Sequence, residues 1–509
     1  MSTETAPTSG TLPVAQDAGP DTSLQLLEQA IQATRRNETE QAWATKKAVT
    51  KDLLKTLIDQ AMNGVVKYER NVTVTFERAI VQIEEKIAAQ VKEVLRHEKF
   101  RKLEGSWRGL HYLVKTTDLD ENIRVRFLQV TKKELYRDLT KNSDDQSELF
   151  KKVYESGFGQ AGGEPFGTLV GDYEFDKDPE DIDMLRMISG VAAASFAPFL
   201  GAASADMLGL KSYRNLPAPQ DLKRVFEASE FASWRGLREA ENSRFISLVM
   251  PRVLARAPYR KIKGSDESFS LDEGPLDERG EPGPIEPDKC CWMNGAYVLA
   301  SKMTESFANS GWSASIRGID SGGKVENLPN YVFTNDEGGK EQFCPAEIGI
   351  ADRREAELSA LGFIPLVHYK NKDYAAFLGS QSIHKPKKWS TPEADANAAL
   401  SARLPYLMLT SRIAHYLKKM TRDQIGSYRE AENVEKELTT WIHKYCNSIA
   451  MTTAEQKAKK PFRNARIKVV EVPGKPGNYS AQAELQPWFQ MEGIDASLSL
   501  VAELPSKER

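Results

Sequence analysis

Gly157, Gly159 and Gly162 satisfy G-x-G-x-x-G, a spacing that lets a backbone close on a pyrophosphate. That chemistry needs a strand before the first glycine and a helix opening after the last. Here Leu149 to Ser156 has a helical pattern and Pro165 follows shortly, so the glycines read as an ordinary loop. No G-x-x-x-x-G-K-[ST] run occurs, so no phosphate-cradling loop is expected. The six histidines are His97, His111, His368, His384, His415 and His443, and none has a metal-ligand spacing to another His or Cys. His97-Glu98 lacks the second His of a zinc-protease helix, and no G-x-S-x-G elbow is present. The four cysteines, Cys290, Cys291, Cys344 and Cys446, form no C-x-x-C pair, and neighbours in sequence are poorly placed to bridge. No catalytic, cofactor or metal site is expected, and a pocket assembled only in three dimensions is the remaining route to catalysis.

The elements that must position any site come next. At roughly 150 residues per domain, 509 residues suggest about three domains. Hydrophobic residues at 40% can fill sizeable cores, while no run nears the roughly 18 apolar residues that span a bilayer. The balance of 72 acidic and 69 basic residues gives no global attraction to nucleic acid. A local basic cluster, Lys457, Lys459, Lys460, Arg463, Arg466 and Lys468, reads as a solvated face or as a contact for an acidic protein surface. Met1 to Thr22 has neither the basic residues nor the apolar core of a signal peptide, and its composition is that of a disordered tail. With the cysteine pattern, this points to a reducing, cytosolic compartment.

A helical region is expected over residues 23–115. Leu24, Leu27, Ile31 and Thr34 keep a helical period, and so do Val49, Leu53, Leu57 and Ala61. Phe76, Ile80, Ile83, Ile87, Val91 and Val94 make a heptad-like stripe, continued past a bend near Gly105 by Trp107, Leu110 and Leu113. Such a stripe serves either as intrachain core or as a docking face for another chain. A mixed α/β body follows over 116–390. Ile123, Val125 and Phe127 alternate as in a half-buried strand, and Thr131 and Glu134 have the spacing of a capping box. Pro179 to Ala197 reads as a helix and Phe245 to Leu254 as a buried strand. Gly264 to Asp288 carries nine acidic residues and one basic, and reads as an exposed loop with no core of its own.

Residues 391–509 return to helices and end in strands. Thr391-Pro392 opens a helix to about Ile425, bent at Pro405, and another spans Tyr428 to Ile449. Arg466 to Val472 and Tyr479 to Phe489 flank a Pro-Gly turn. Ile494, Ala496, Leu498, Leu500, Ala502 and Leu504 alternate strictly, the clearest strand pattern in the chain. The pentapeptide SWRGL occurs twice, at Ser106 to Leu110 and Ser233 to Leu237, which suggests two helices with similar packing needs.

Long segments in order resemble one family: the large sheath subunit of type VI secretion systems, TssC/VipB-like. They are EGSWRGLHYLV (Glu104 to Val114), EPFGTLVGDYEF (Glu164 to Phe175), Trp234, Arg238, Glu241 and Arg244 leading into PRVLARAPY (Pro251 to Tyr259), and CWMNGAYVLA (Cys291 to Ala300). GWSASIRG (Gly311 to Gly318), DRREAELSALGFIPLVHYK (Asp352 to Lys370) and LPYLMLTSRIAHYLK (Leu404 to Lys418) follow. The resemblance implies a phage-tail-sheath-like α/β (mixed α+β) body. It implies a small sheath subunit (TssB/VipA-like) as partner, further copies of the chain in a helical sheath, and a secreted tube (Hcp-like) inside. It also implies a Clp-type AAA+ unfoldase (ClpV-like) that recycles the contracted sheath, and a membrane-bound baseplate complex that anchors it. Energy stored in the extended lattice would drive contraction, so no cofactor or nucleotide is implied. Nucleic-acid binding and direct membrane insertion are not implied either. A different phage-derived sheath or baseplate component, or a soluble cytosolic enzyme, would be the alternatives.

On that resemblance four surfaces take roles. Leu24, Leu27, Ala30 and Ile31 would be gripped by the unfoldase. Phe76, Ile80, Ile83, Ile87, Val91 and Val94 would meet the small subunit. Glu430, Glu432, Glu435 and Glu437 would face the tube, although a Glu-rich helix is also what simple solubility produces. Ile494, Ala496, Leu498, Leu500 and Ala502 would pair with a neighbouring subunit, or with their own C-terminal hairpin.

Overall fold

Alternate residues of the central strands enter two different cores, and that alternation organises the body. The strands are β1 (Leu169–Phe175), β2 (Phe199–Ala203), β3 (Ile246–Met250), β4 (Lys324–Val325), β5 (Phe363–His368) and β6 (Ala375–Phe377). They form one sheet in the order β1-β2-β3-β5-β6-β4. The first four run parallel, and β6 is antiparallel to both β5 and β4. Helices are α1 (Val72–Arg96), α2 (Glu98–Thr116), α3 (Pro179–Ser195), α4 (Gly295–Ser310), α5 (Leu404–Asp423) and α6 (Ala431–His443). The computed structural model describes residues 52, 72–119, 122–142, 145–160, 162–218, 221–260, 271–276, 282–335, 337–370, 372–423, 431–449, 453–471 and 479–488. The chain divides into two compact units, residues 1–93 with 262–270, and residues 94–261 with 271–509.

In the larger unit, Ile246, Leu248 and Met250 enter one core with Phe363, Trp234 and the apolar side of α3. Val249, Ile364 and Leu366 enter the other with α4, Leu113 of α2, and Leu404 and Met408 of α5. Every residue of β2 and β3 is buried, as parallel strands covered on both faces require. The run Phe245 to Leu254 is therefore strand as expected, divided by a cis Met250–Pro251 bond before a short strand at Val253–Leu254. α2 reaches the body through its small residues: a Cβ on Gly109 would lie 2.4 Å from the Tyr297 ring.

A third core joins α6 to the hairpin of β7 (Phe462–Glu471) and β8 (Tyr479–Pro487). Val434, Leu438 and Ile442 pack on Phe462, Ala465, Ile467 and Val469. The expected long helix from Thr391 appears as two, Pro392–Ser401 and α5, divided just before Pro405. α6 is shorter than the expected span; residues 424–430 lie outside the described residues. The capping box at Thr131 and Glu134 is present in full.

Two expectations meet corrections. Ile123, Val125 and Phe127 lie in no strand, because no other part of the described chain pairs with them. The acidic stretch is not a coreless loop where it is described. Glu273 and Ile285 are buried, and Ile285 packs with Leu254, Cys290 and Tyr331.

Gly157 and Gly159 end a π-helix over Lys151–Gly159. Arg422 of α5 reaches the carbonyls of Phe158, Gly159 and Gln160 that this end exposes. One turn earlier, the Lys418 ammonium sits 4.2 Å from the Phe158 ring centroid and 4.6 Å from that of Tyr154. The glycine spacing thus serves a helix end clamped by two cations. His415, beside the clamp, donates its Nε2–H to Ser195 O at 2.9 Å and is buried.

Burial lowers the His415 pKa to about 4 from 6.5, with Arg412 and Lys418 adding to the shift against hydrogen bonds to the Ser195 and Phe196 backbone. Its neutral form is the folded form, so the unfolded chain takes up a proton first as pH falls. The resulting stability is complete above pH 6.5 and lost as pH falls towards 4, a loss of order 3 kcal/mol at most. His415→Gln, which keeps a donor for Ser195 O, is expected to flatten the denaturation midpoint between pH 6.5 and 4. An unchanged pH profile in the variant would refute this.

Candidate functional site

Of the residues singled out in the sequence for the four surfaces, those that are described lie on α1 and on α6. Along α1, Ile80, Ile83, Ile87 and Val94 are 54%, 49%, 47% and 56% exposed, and Val91 is half-buried. Phe76 belongs to the same helix, with its side chain outside the described residues. Exposure on this 25-residue helix is not confined to that row, since Val81 is exposed as well. On α2, Gly105, Gly109 and Leu113 are buried against the body, while Phe100, Leu103, Trp107 and Val114 are exposed.

The tie between α2 and the acidic stretch is ionic. Arg256 donates to Glu104 Oε1 at 2.6 Å and Oε2 at 3.2 Å, and to Glu273 Oε2 at 2.6 Å and Oε1 at 3.1 Å. All three side chains are largely buried, and Arg108 adds a 2.7 Å bond to Glu104. Burial would raise the Glu104 carboxyl, but the hydrogen bonds from Arg256 and Arg108 outweigh it and hold the pKa below the ordinary glutamate value. The same two carboxylates raise the Arg256 guanidinium against its own burial. Periodicity cannot reveal such a cluster, since its members are 152 and 17 residues apart. Cys290 and Cys291 lie nearby, and burial pushes both thiols up to about 12, which leaves them unreactive at neutral pH.

Near the C-terminus, Glu432 and Glu437 are exposed on α6, while Glu435 accepts a hydrogen bond from Val469 N at 2.9 Å. Glu430 lies outside the described residues, as do Leu24, Leu27, Ala30, Ile31, and Ile494, Ala496, Leu498, Leu500 and Ala502. Lys457 of the basic cluster lies 5.0 Å from the Trp488 ring centroid. Among the described residues a serine hydroxyl meets a histidine ring: Ser243 Oγ is 3.0 Å from His384 Nδ1. That nitrogen also lies 3.1 Å from Ala240 O, so it carries the proton and cannot act as a base, and Ser243 is fully buried. Among the described residues, no helix is long and apolar enough to cross a membrane, and no three His, Cys, Asp or Glu side chains are grouped to hold a metal.

Comparison with known proteins places the chain in a class, the structural subunits of contractile tail sheaths. Residues 77–384 match the EvpB/VC_A0108 tail sheath N-terminal domain, and residues 393–504 match the EvpB/VC_A0108 tail sheath gpW/gp25-like domain. The chain is 43% identical over 457 residues to the type VI secretion system sheath protein TssC1 of Pseudomonas aeruginosa, covering 89% of this chain and 90% of that protein. It belongs to the family of large sheath subunits of type VI secretion systems. Among solved structures it is similar to a chain of the anti-feeding prophage baseplate (11% identity, TM-score 0.37, 75% of this chain and 84% of that one). It is also similar to a chain of the contracted helical sheath of the same particle (12% identity, TM-score 0.28, 63% and 75%).

Removing the cation from the buried cluster would leave two uncompensated carboxylates. Arg256→Met is expected to destabilise the protein by about 3–5 kcal/mol. It would also make residues 271–289 the first site of limited proteolysis. Wild-type cleavage kinetics in that segment would show that the ion cluster does not hold it.

Proposed function

We propose that this chain joins a smaller sheath subunit through the exposed stripe of α1, and that the pairs stack as a helical sheath around a secreted tube. The observation that carries the reading is the exposure of Ile80, Ile83, Ile87 and Val94 on one long helix. Contraction of the sheath drives the tube outward, and the chain works by assembly, without catalysis, in the cytoplasm, on a baseplate at the membrane. Leu24, Leu27, Ala30 and Ile31 serve as the handle for a Clp-type unfoldase, as a short amphipathic ligand for a groove. Glu430, Glu432 and Glu437 face basic groups on the tube. Glu435, in the same row, is shared with the backbone of β7. Single surface pairs are worth roughly 0–1 kcal/mol, so these contacts count through repetition along the lattice.

Ile83→Asp with Ile87→Asp is expected to abolish co-purification with the small subunit while leaving the body folded, as judged by its unfolding transition. A wild-type yield of complex would refute the assignment of the stripe.

Strand pairing between subunits links the lattice through Ile494, Ala496, Leu498, Leu500 and Ala502. Backbone hydrogen bonds hold the link, and the apolar face fixes its register. Leu498→Pro removes one donor and breaks the ladder in its middle, so the variant is expected to form the heterodimer but no long sheaths in electron micrographs. Full-length sheaths from that variant, or loss of the heterodimer, would sink the proposal.

A further inference from the structure

Where the two matched domains meet, a cavity of about 380 Å³ lies between the turn Glu241–Phe245 and the helix Pro392–Ser401. Glu241, His384, Lys387, Trp389, Asn397 and Ser401 supply its polar and aromatic lining. Neither the sheet nor the α1 stripe uses these groups.

The lining is rich in acceptors whose protons are absent or already spent. His384 is only 7% exposed. Ser243 donates its proton to Ala240 O at 2.6 Å, so the Nδ1 proton of His384 closes the 3.0 Å contact with Ser243. Nε2, on the other edge of the ring, has no hydrogen-bond partner among the described residues. Burial lowers the His384 pKa, with Glu241 close enough to oppose the shift, so at pH 7 Nε2 carries a lone pair. Ser401 Oγ donates to Ala398 O at 2.8 Å and keeps only lone pairs to offer. Glu241 makes a 3.3 Å contact with Arg244, which occupies one of about four lone-pair positions on its carboxylate. Trp389 is 60% exposed, and its backbone is held by a 3.0 Å bond from its N–H to Asp395 Oδ1. The indole is thus a fixed but uncovered face beside a set of acceptors.

We propose that this cavity binds a guanidinium, which donates to Glu241, His384 Nε2 and Ser401 Oγ and stacks on Trp389. A ligand here must bring donors, which excludes a carboxylate or a phosphate. A guanidinium has five N–H donors in one plane, accepts the face of an aromatic ring and is weakly hydrated, whereas an ammonium is a compact and strongly hydrated charge. A metal ion fits poorly, since among the described residues no three His, Cys, Asp or Glu side chains are grouped to hold one. Lys387 borders the cavity on an exposed side chain and opposes a cation, so it weakens the site without blocking it. A free guanidinium compound and an arginine side chain of a neighbouring subunit carry the same group. The second source rests on the assembly reading given above; the site itself does not.

Isothermal titration of n-propylguanidinium into the purified full-length chain tests the site. A dissociation constant of about 1 mM or tighter is expected. n-Propylurea, which has the same shape without the charge, is expected to bind about tenfold more weakly or worse, and n-butylammonium more weakly than the guanidinium. Glu241→Gln is expected to weaken binding about tenfold and Trp389→Ala about threefold or more; both side chains are exposed, so both variants fold. Lys387→Met is expected to tighten it. No saturable binding, equal binding of the urea, or indifference to both Glu241→Gln and Trp389→Ala would overturn the inference. Weaker binding by Lys387→Met would overturn it too, since the site would then favour an anion. The same titration on the assembled sheath separates the sources. Binding retained there identifies a free compound, and binding lost there identifies an arginine of a neighbouring subunit; either result supports the site.

Discussion

Burial on both faces of the parallel sheet is the constraint on which the rest of the molecule depends. Phe363 stacks on Trp234 on one side, and its neighbour Ile364 enters the core of α4 on the other. A sheet covered this way has no face left to offer, so it can act as a rigid block but not as a binding surface. Whatever the body contributes to assembly must come from its edges and from the segments attached to it. α2 illustrates the division. Its glycine face lets the helix approach Trp292 and Tyr297 too closely for any side chain to intervene, and its Trp107 face is left to solvent.

Charge does the work of attachment where apolar packing is thin. The acidic stretch has few residues able to build a core, yet Glu273 is held by Arg256, which Glu104 also binds. Such a cluster is a weak source of net stability, because three groups lose water to make it, but breaking it is costly. It therefore fixes which segments belong together more than how stable they are. The clamp of Lys418 and Arg422 on the π-helix has the same character. It joins α5, which lies in the gpW/gp25-like part, to a helix of the tail sheath N-terminal part. The two family domains are thus tied by directional contacts.

Much of this was legible in the sequence, and the failures share a cause. Periodicity found α1, α3 and the C-terminal hairpin; in α3 and the hairpin the recurring apolar residues are buried, while in α1 most are exposed. Residue spacing also gave the capping box at Thr131, whereas the single bent helix expected from Thr391 is two helices. Ile123 to Phe127 misled because alternation reports a face suited to burial, not the strand that must pair with it. Glu104, Arg256 and Glu273 were invisible because ion pairs across long sequence distances leave no period. The two SWRGL copies are alike as sequence and opposite in burial, so no local reading could separate them. The apolar stripe of α1 is visible in the sequence, but its exposure is not, since periodicity does not say what covers a face.

Exposure of apolar surface is costly to a protein that works alone and useful to one that works by assembly. Fully burying a large apolar side chain gains roughly 1.5–3 kcal/mol, so the open residues of α1 and α2 represent a driving force spent only on association. The body, having satisfied its own sheet, cannot relax to cover them. A subunit built this way does not need to change fold when the lattice rearranges: rigid blocks can rotate while contacts on their attached segments persist.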